Sequence, residues 1–197
     1  MSRGILLVLS GPAGSGKTTL CDRLVDAHSS TLRRVVTCTT RVPREGERDG
    51  VDYHFLTEDA FARTLAAGGF LEHARVHTRL YGLRAADVAA RLDAGGDALV
   101  NIDVQGAATL RRRAADHPAL AGSMVTVFIR VSDPVELRRR LSGRGTDAPD
   151  EVERRLRVSA EEMSHSGEYQ HVIESGTRDA DFARLDSIYR AARARLP

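Results

Sequence analysis

The stretch Gly11-Pro-Ala-Gly-Ser-Gly-Lys-Thr18 has the composition and spacing of a loop that holds phosphate groups. Its glycines let consecutive backbone N–H groups turn toward one anion, and the helix opening behind them adds its positive end. In the pattern G-x-x-x-x-G-K-[S/T], the lysine spans the outer phosphates of a nucleoside triphosphate and the final hydroxyl completes the coordination of Mg2+. Gly11, Pro12, Ala13, Gly14, Ser15, Gly16, Lys17, Thr18 and Thr19 are therefore the candidate triphosphate-binding residues, with Thr18 the candidate metal ligand. Lys17 is the only lysine among 29 basic side chains. Wherever a generic positive charge suffices this chain uses arginine, so the lone ammonium marks a narrow nest that a planar guanidinium does not fit.

A second set of anion-binding side chains follows. Arg41, Arg44, Arg48 and Tyr53 lie in "TTRVPREGERDGVDYHF", where Gly and Pro interrupt regular structure and side chains can converge. Arg41 and Arg44 carry the planar fork that grips a monophosphate, and Tyr53 can add an O–H donor. An N-K-x-D guanine element of the GTPase kind is impossible, because no lysine follows position 17. His73 and His77 are four residues apart but in strand and loop context, without a third ligand at suitable spacing, so they are not read as a metal site. Cys21 and Cys38 form neither a CxxC pair nor a His/Cys cluster and read as small reduced fillers.

The elements that must position these groups alternate in type. Residues 5–10 are an apolar run without alternation, as in a strand covered on both faces. From Lys17 the period becomes helical, with Leu20, Leu24 and Ala27 on one side. Runs 34–40 and 53–56 read as strands flanking the irregular arginine-rich segment. Thr57 caps a helix that Gly68-Gly69 end, and "FLEHARV", 70–76, is a further strand. A helix over 84–94, a strand over 98–103, a helix over 105–117 ended by Pro118 and a strand over 124–131 come next. Helices from Pro134 and over 149–165, a short strand at 171–173 and a helix over 179–196 complete the order.

Three buried strands linked by helices predict an α/β fold with a central, mostly parallel sheet. Segments 1–33, 95–135 and 167–197 form its core, and 34–94 reads as an inserted lobe. Segment 136–166, with seven arginines, seven acidic residues and no strand, reads as a helical lid. At 197 residues, 42% apolar and 28% charged, one compact unit is expected. The net charge of +2 provides no basic face for a nucleic acid. No apolar run approaches the 18 or so residues of a spanning helix, so no membrane partner is expected and the location reads as cytoplasmic. Monomer and homodimer both stay open.

Taken together the motifs resemble the guanylate kinase family. Beside the phosphate loop, "TTRVPR" at 39–44, "EGERDGVDYHF", "FLEHARV", "YG" at 81–82, "IDVQGA" at 102–107 and "RLSGRG" at 140–145 occur in that family's order. The resemblance implies a P-loop kinase fold with a GMP-binding lobe and a lid, Mg2+ as cofactor, and transfer of the γ-phosphoryl group of ATP to GMP or dGMP. It implies that Arg41, Arg44, Tyr53 and Tyr81 hold the monophosphate and that Thr37, Glu72 and Asp103 face the guanine. It also makes Arg140, Arg144 and Arg155 lid arginines, catalytic together with Lys17 and Arg41. Guanine offers N1–H and its 2-amino group as adjacent donors, which one carboxylate accepts together. A phosphate monoester is already ionised at neutral pH, so no protein base is implied.

Three positions depart from the family pattern. Leu83 stands after "YG" in place of a small hydroxyl residue, which would weaken guanine contacts. Asn101 replaces an aspartate, which would alter water or Mg2+ organisation, and Ser175 replaces an asparagine, which would loosen the adenine pocket. Two rival readings are a P-loop kinase acting on a phosphorylated ribose and a non-catalytic protein-binding domain of the same fold. The first would lack the guanine carboxylates, and the second would have lost the lysine or the loop glycines.

Overall fold

The computed structural model describes residues 3–76, 78–116, 120, 122–142 and 149–196. Five strands, β1 (Leu6–Ser10), β2 (Leu32–Arg34), β7 (Asp97–Asn101), β8 (Met124–Arg130) and β9 (His171–Glu174), form a sheet in the order β2-β7-β1-β8-β9. Every pairing in it is parallel. β1 is central and wholly buried, as its unbroken apolar run predicts. Alternate residues supply two cores. Leu6 and Val8 pack with Val88 and Leu92 of α3 (Ala85–Asp93) and Ala107 and Leu110 of α4 (Val104–Asp116). Leu7 and Leu9 pack with Leu20 and Leu24 of α1 (Lys17–Ala27) and Leu185 and Tyr189 of α7 (Arg178–Arg193). This two-residue period places helices on both faces and fixes the end of β1, where the phosphate loop begins.

A second, four-stranded sheet has the order β4-β3-β6-β5, from β3 (Cys38–Thr39), β4 (His54–Phe55), β5 (Phe70–Val76) and β6 (Arg79–Arg84). It packs on α2 (Glu58–Ala66), where Phe61 stacks on Phe70 with ring centroids 4.4 Å apart. Thr57 caps this helix as expected, accepting the Ala60 N–H at 3.2 Å. Two features differ from the sequence expectation. The run 34–40 is divided: Arg34 ends a strand of the core sheet, and Cys38 begins one of the second sheet. A β-branched run gives no mark where a chain leaves one sheet for another. β6 was not expected, because Gly82 interrupts its pattern; a Cβ there would lie 2.9 Å from the Phe70 ring, so this glycine lets the aromatic stack close.

Two further helices, α5 (Pro134–Ser142) and α6 (Pro149–Ser164), pack on each other through Leu137, Leu141, Leu156 and Met163. A 3-10 turn, His165–Glu168, joins α6 to β9. The stop expected at Pro118 lies outside the described residues. Among the described residues, no helix is long and apolar enough to cross a membrane. Cys21 and Cys38 are buried free thiols, and burial pushes them up to about 12 and about 11 respectively, far from a reactive thiolate.

Candidate active site

The loop leaving β1 can only be glycine at its first position. Gly11 has φ 145°, and a Cβ there would lie 2.4 Å from the Ile129 carbonyl oxygen. At the other end Gly16 caps α1 without a side-chain bond, and the first turn of α1 holds no acidic residue. The leading N–H groups of α1 therefore stay available to an anion, with the helix dipole behind them. Lys17 folds back over the loop: its Nζ donates to the carbonyls of Gly11 at 2.6 Å and Pro12 at 2.8 Å. Burial pulls its pKa below the ordinary lysine value, while Glu162, Cys21 and Asp103 act in the opposite direction. Thr18 and Thr19, beside it, are exposed.

A cleft of about 390 Å³ opens from this loop toward the second sheet. Lys17 borders it at one end, and Thr37, Tyr53, Glu72 and Tyr81 at the other. Asn101 and Asp103, where β7 gives way to α4, border it too, as does Glu162 of α6. Asp103 is fixed because its Oδ1 accepts the Gly106 N–H at 2.8 Å, at the start of α4.

Glu72 is 2% exposed, and burial with the nearby Asp103 charge raises its pKa to about 8, Arg113 opposing. A bulge in the β5–β6 pairing between Phe70 and Glu72 sets its aim, and α4 presses close: a Cβ on Gly106 would lie 2.7 Å from Glu72 Oε2. Leu83 lies directly across the ladder from Glu72 and is wholly buried in the apolar cluster under the first sheet.

The irregular segment after β3 is shaped by its own carboxylates. Glu47 Oε1 accepts Arg41 Nη2 at 2.8 Å, and its Oε2 accepts the Arg44 N–H at 2.7 Å. Asp52 and Asp49 accept the N–H groups of Arg48 and Phe55, each at 2.8 Å. The Arg41 guanidinium hydrogen bond holds the Glu47 carboxyl down at about 2. Arg41 lies 5.5 Å from the Tyr53 ring centre, and Tyr53 meets Tyr81 edge-on at 5.9 Å. Arg41, Tyr53 and Tyr81 thus form one group at the mouth of the cleft, while Arg44 and Arg48 project into solvent. Glu47 was missed by sequence reasoning; its only signal is position, one carboxylate placed between the arginines it orients.

Among the described residues, the arginines expected in a lid are not brought together at the cleft. Arg140 of α5 is held away from the cleft, its Nε donating to Glu136 at 2.7 Å and its Nη1 to Ser175 Oγ at 2.9 Å. Arg155 is half-buried on α6 and does not border the cleft. Arg144 lies outside the described residues. Glu162, in the last turn of α6, was also unforeseen, since segment 136–166 reads in sequence as a mixture of opposite charges.

The family model for guanylate kinase matches residues 3–192. The chain is 42% identical over 193 residues to the guanylate kinase of Alkalilimnicola ehrlichii, covering 98% of this chain and 91% of that one. It is 34% identical over 195 residues to that of Clostridium perfringens, covering 99% of this chain and 87% of that one. A crystal structure of guanylate kinase from Anaplasma phagocytophilum superposes with a TM-score of 0.77 at 30% identity, over 97% of this chain and 87% of that one. A parallel sheet ending in a phosphate loop, a buried carboxylate across the cleft and a match along almost the whole sequence lead to one assignment: the chain belongs to the guanylate kinase family.

Proposed function

We propose that this protein transfers the γ-phosphoryl group of ATP to GMP, and to dGMP, giving ADP and the nucleoside diphosphate. The observation that carries the reading is the single cleft with Lys17 at one end and buried Glu72 at the other. Glu72 presents a buried carboxyl to the cleft, and guanine supplies two donors side by side. Asp103 and Thr37 border the same region. A phosphorylated ribose offers hydroxyl groups there, without the planar, fixed pair of N–H donors that guanine presents to one carboxylate.

In this mechanism an oxygen of the GMP phosphate forms a bond to the γ-phosphorus as the bond from that phosphorus to the β-bridging oxygen breaks. The attacking oxygen is already ionised near neutral pH, so no side chain removes a proton. Arg41, Arg44, Tyr53 and Tyr81 hold the GMP phosphate, and the N–H groups of residues 11–18 hold the donor phosphates. Lys17 leaves the Gly11 and Pro12 carbonyls and spans the donor's outer phosphates. Arg140, Arg144 and Arg155 neutralise the transferring group when the lid closes, which requires Arg140 to exchange its bonds to Glu136 and Ser175. Alignment and charge neutralisation are the work of the site.

The residues fit Mg2+ held chiefly by phosphates. Thr18 presents an exposed hydroxyl in the first turn of α1, and no cluster of three His, Cys, Asp or Glu side chains among the described residues forms a dedicated cage. When bound there, Mg2+ would supply charge neutralisation on the donor.

The test is ADP release with GMP, dGMP, AMP, UMP and ribose phosphates offered separately. GMP and dGMP should be turned over and the others rejected. Lys17→Ala should lower kcat by about 10²–10³, with unfolding temperature unchanged. Equal turnover of every acceptor, or none of GMP, refutes the proposal.

A further inference from the structure

The carboxylate at the acceptor end of the cleft sits just beyond an irregularity in its own strand. From Phe70 to Glu72 β5 takes two steps while β6 takes one, from Arg84 to Leu83. A bulge of this kind decides on which face the following side chains emerge, because a shift of one residue turns a strand's side chains over. Whatever fixes the bulge therefore fixes the aim of Glu72.

One face of α4 runs along this short stretch, with Gly106, Leu110 and Arg113 at helical spacing. A Cβ on Gly106 would lie 2.7 Å from Glu72 Oε2. Leu110 and Leu71 are buried in the same apolar cluster. Arg113 Nη1 donates to the Phe70 carbonyl, at the residue where the bulge begins. The Phe70 ring is held separately, by its stack on Phe61. Against burial and the Asp103 charge, which raise the Glu72 pKa, the Arg113 charge favours the ionised carboxylate. Arg113 is exposed and does not border the cleft, so it reaches a ligand there only through β5.

We propose that Arg113 is a positioning residue for guanine recognition: by clamping the start of the β5 bulge to α4, it holds the Glu72 carboxylate in line with the two N–H donors of the base. The inference rests on the ATP:GMP reading of the site. Guanine presents N1–H and its 2-amino group in one plane, and a carboxylate accepts both only when its two oxygens lie in that plane. Loosening the bulge therefore costs the second hydrogen bond first, and with it the power to tell guanine from a base that lacks the 2-amino group.

The experiment compares GMP with inosine monophosphate, which keeps N1–H and lacks the 2-amino group, as acceptors in ADP release from ATP. In the parent enzyme the second hydrogen bond should give GMP an advantage in kcat/KM of about tenfold or more. Arg113→Met and Arg113→Ala remove the donor. In both, KM for GMP should rise about tenfold while KM for inosine monophosphate and for ATP moves less than about twofold, so the advantage shrinks about fivefold. A single carbonyl needs a single donor, so Arg113→Lys should restore the advantage to within about twofold of the parent. An unchanged advantage, a KM for ATP that rises in step with that for GMP, no rescue by Arg113→Lys, or loss of folding in place of loss of selectivity would each overturn the inference and leave the ATP:GMP reading intact. A parent enzyme that makes no GDP, or that treats the two acceptors alike, would overturn both.

Discussion

Binding of GMP at pH 7 should expel about nine-tenths of a proton from Glu72. Before the ligand arrives, burial and the Asp103 charge hold this carboxyl at about 8. Guanine's two donors require the ionised form, so only the ionised fraction of the protein is competent to bind. At pH 7 that fraction is about one in ten, and the observed Kd is about tenfold weaker than the intrinsic one. Raising the pH to 9 removes the penalty, so affinity should tighten about tenfold and level off just above pH 8. The second ionisation of the GMP phosphate lies near pH 6, below the window from 7 to 9. Calorimetric titration at pH 7 in two buffers of different ionisation heat counts the released proton, and Glu72→Gln should abolish both the release and the pH slope. Affinity that is flat from pH 7 to 9 without proton release, or that weakens as pH rises, would refute the reasoning.

Other outcomes follow from neighbouring features. In the folded protein Glu72 keeps its proton where the unfolded chain has lost it, so its stability contribution is intact below about pH 4.5 and lost as pH rises to about 8. Glu72→Gln should therefore gain stability over the parent between pH 5 and pH 8, by on the order of 3 kcal/mol; urea unfolding at both pH values checks it, and an unchanged difference refutes it. Glu47→Gln weakens the hold on Arg41 and should raise KM for GMP about tenfold while leaving KM for ATP alone, as steady-state kinetics would show. Leu83→Ala should lose about 3 kcal/mol in denaturant unfolding, since the side chain is wholly buried; a loss below about 1 kcal/mol would contradict its core placement.

The parts legible in the sequence were those that short-range chemistry dictates. The apolar run of β1, the glycines and lysine after it and the Thr57 cap each state their structure within a few residues. Alternating helices and strands made the parallel sheet readable as well. The division of run 34–40 between two sheets was not legible, because both halves have the same β-forming composition and only their distant partners differ. β6 was hidden by Gly82, whose reason is an aromatic stack formed by residues 61 and 70. Glu72 and Asp103 could be named through family resemblance, yet their mutual influence arises because α4 packs on β5, a contact between segments far apart in the chain. Leu83, expected to affect the guanine site, packs entirely into the core directly opposite the carboxylate.

The Gly11 and Pro12 carbonyls hold the Lys17 ammonium against the loop by two hydrogen bonds. An arriving anion must compete for it, so its net gain is the difference between charge-assisted contacts and neutral ones. Inorganic phosphate or sulfate gains little by that exchange. A polyphosphate chain, able to take the ammonium and several backbone amides at once, gains along its whole length.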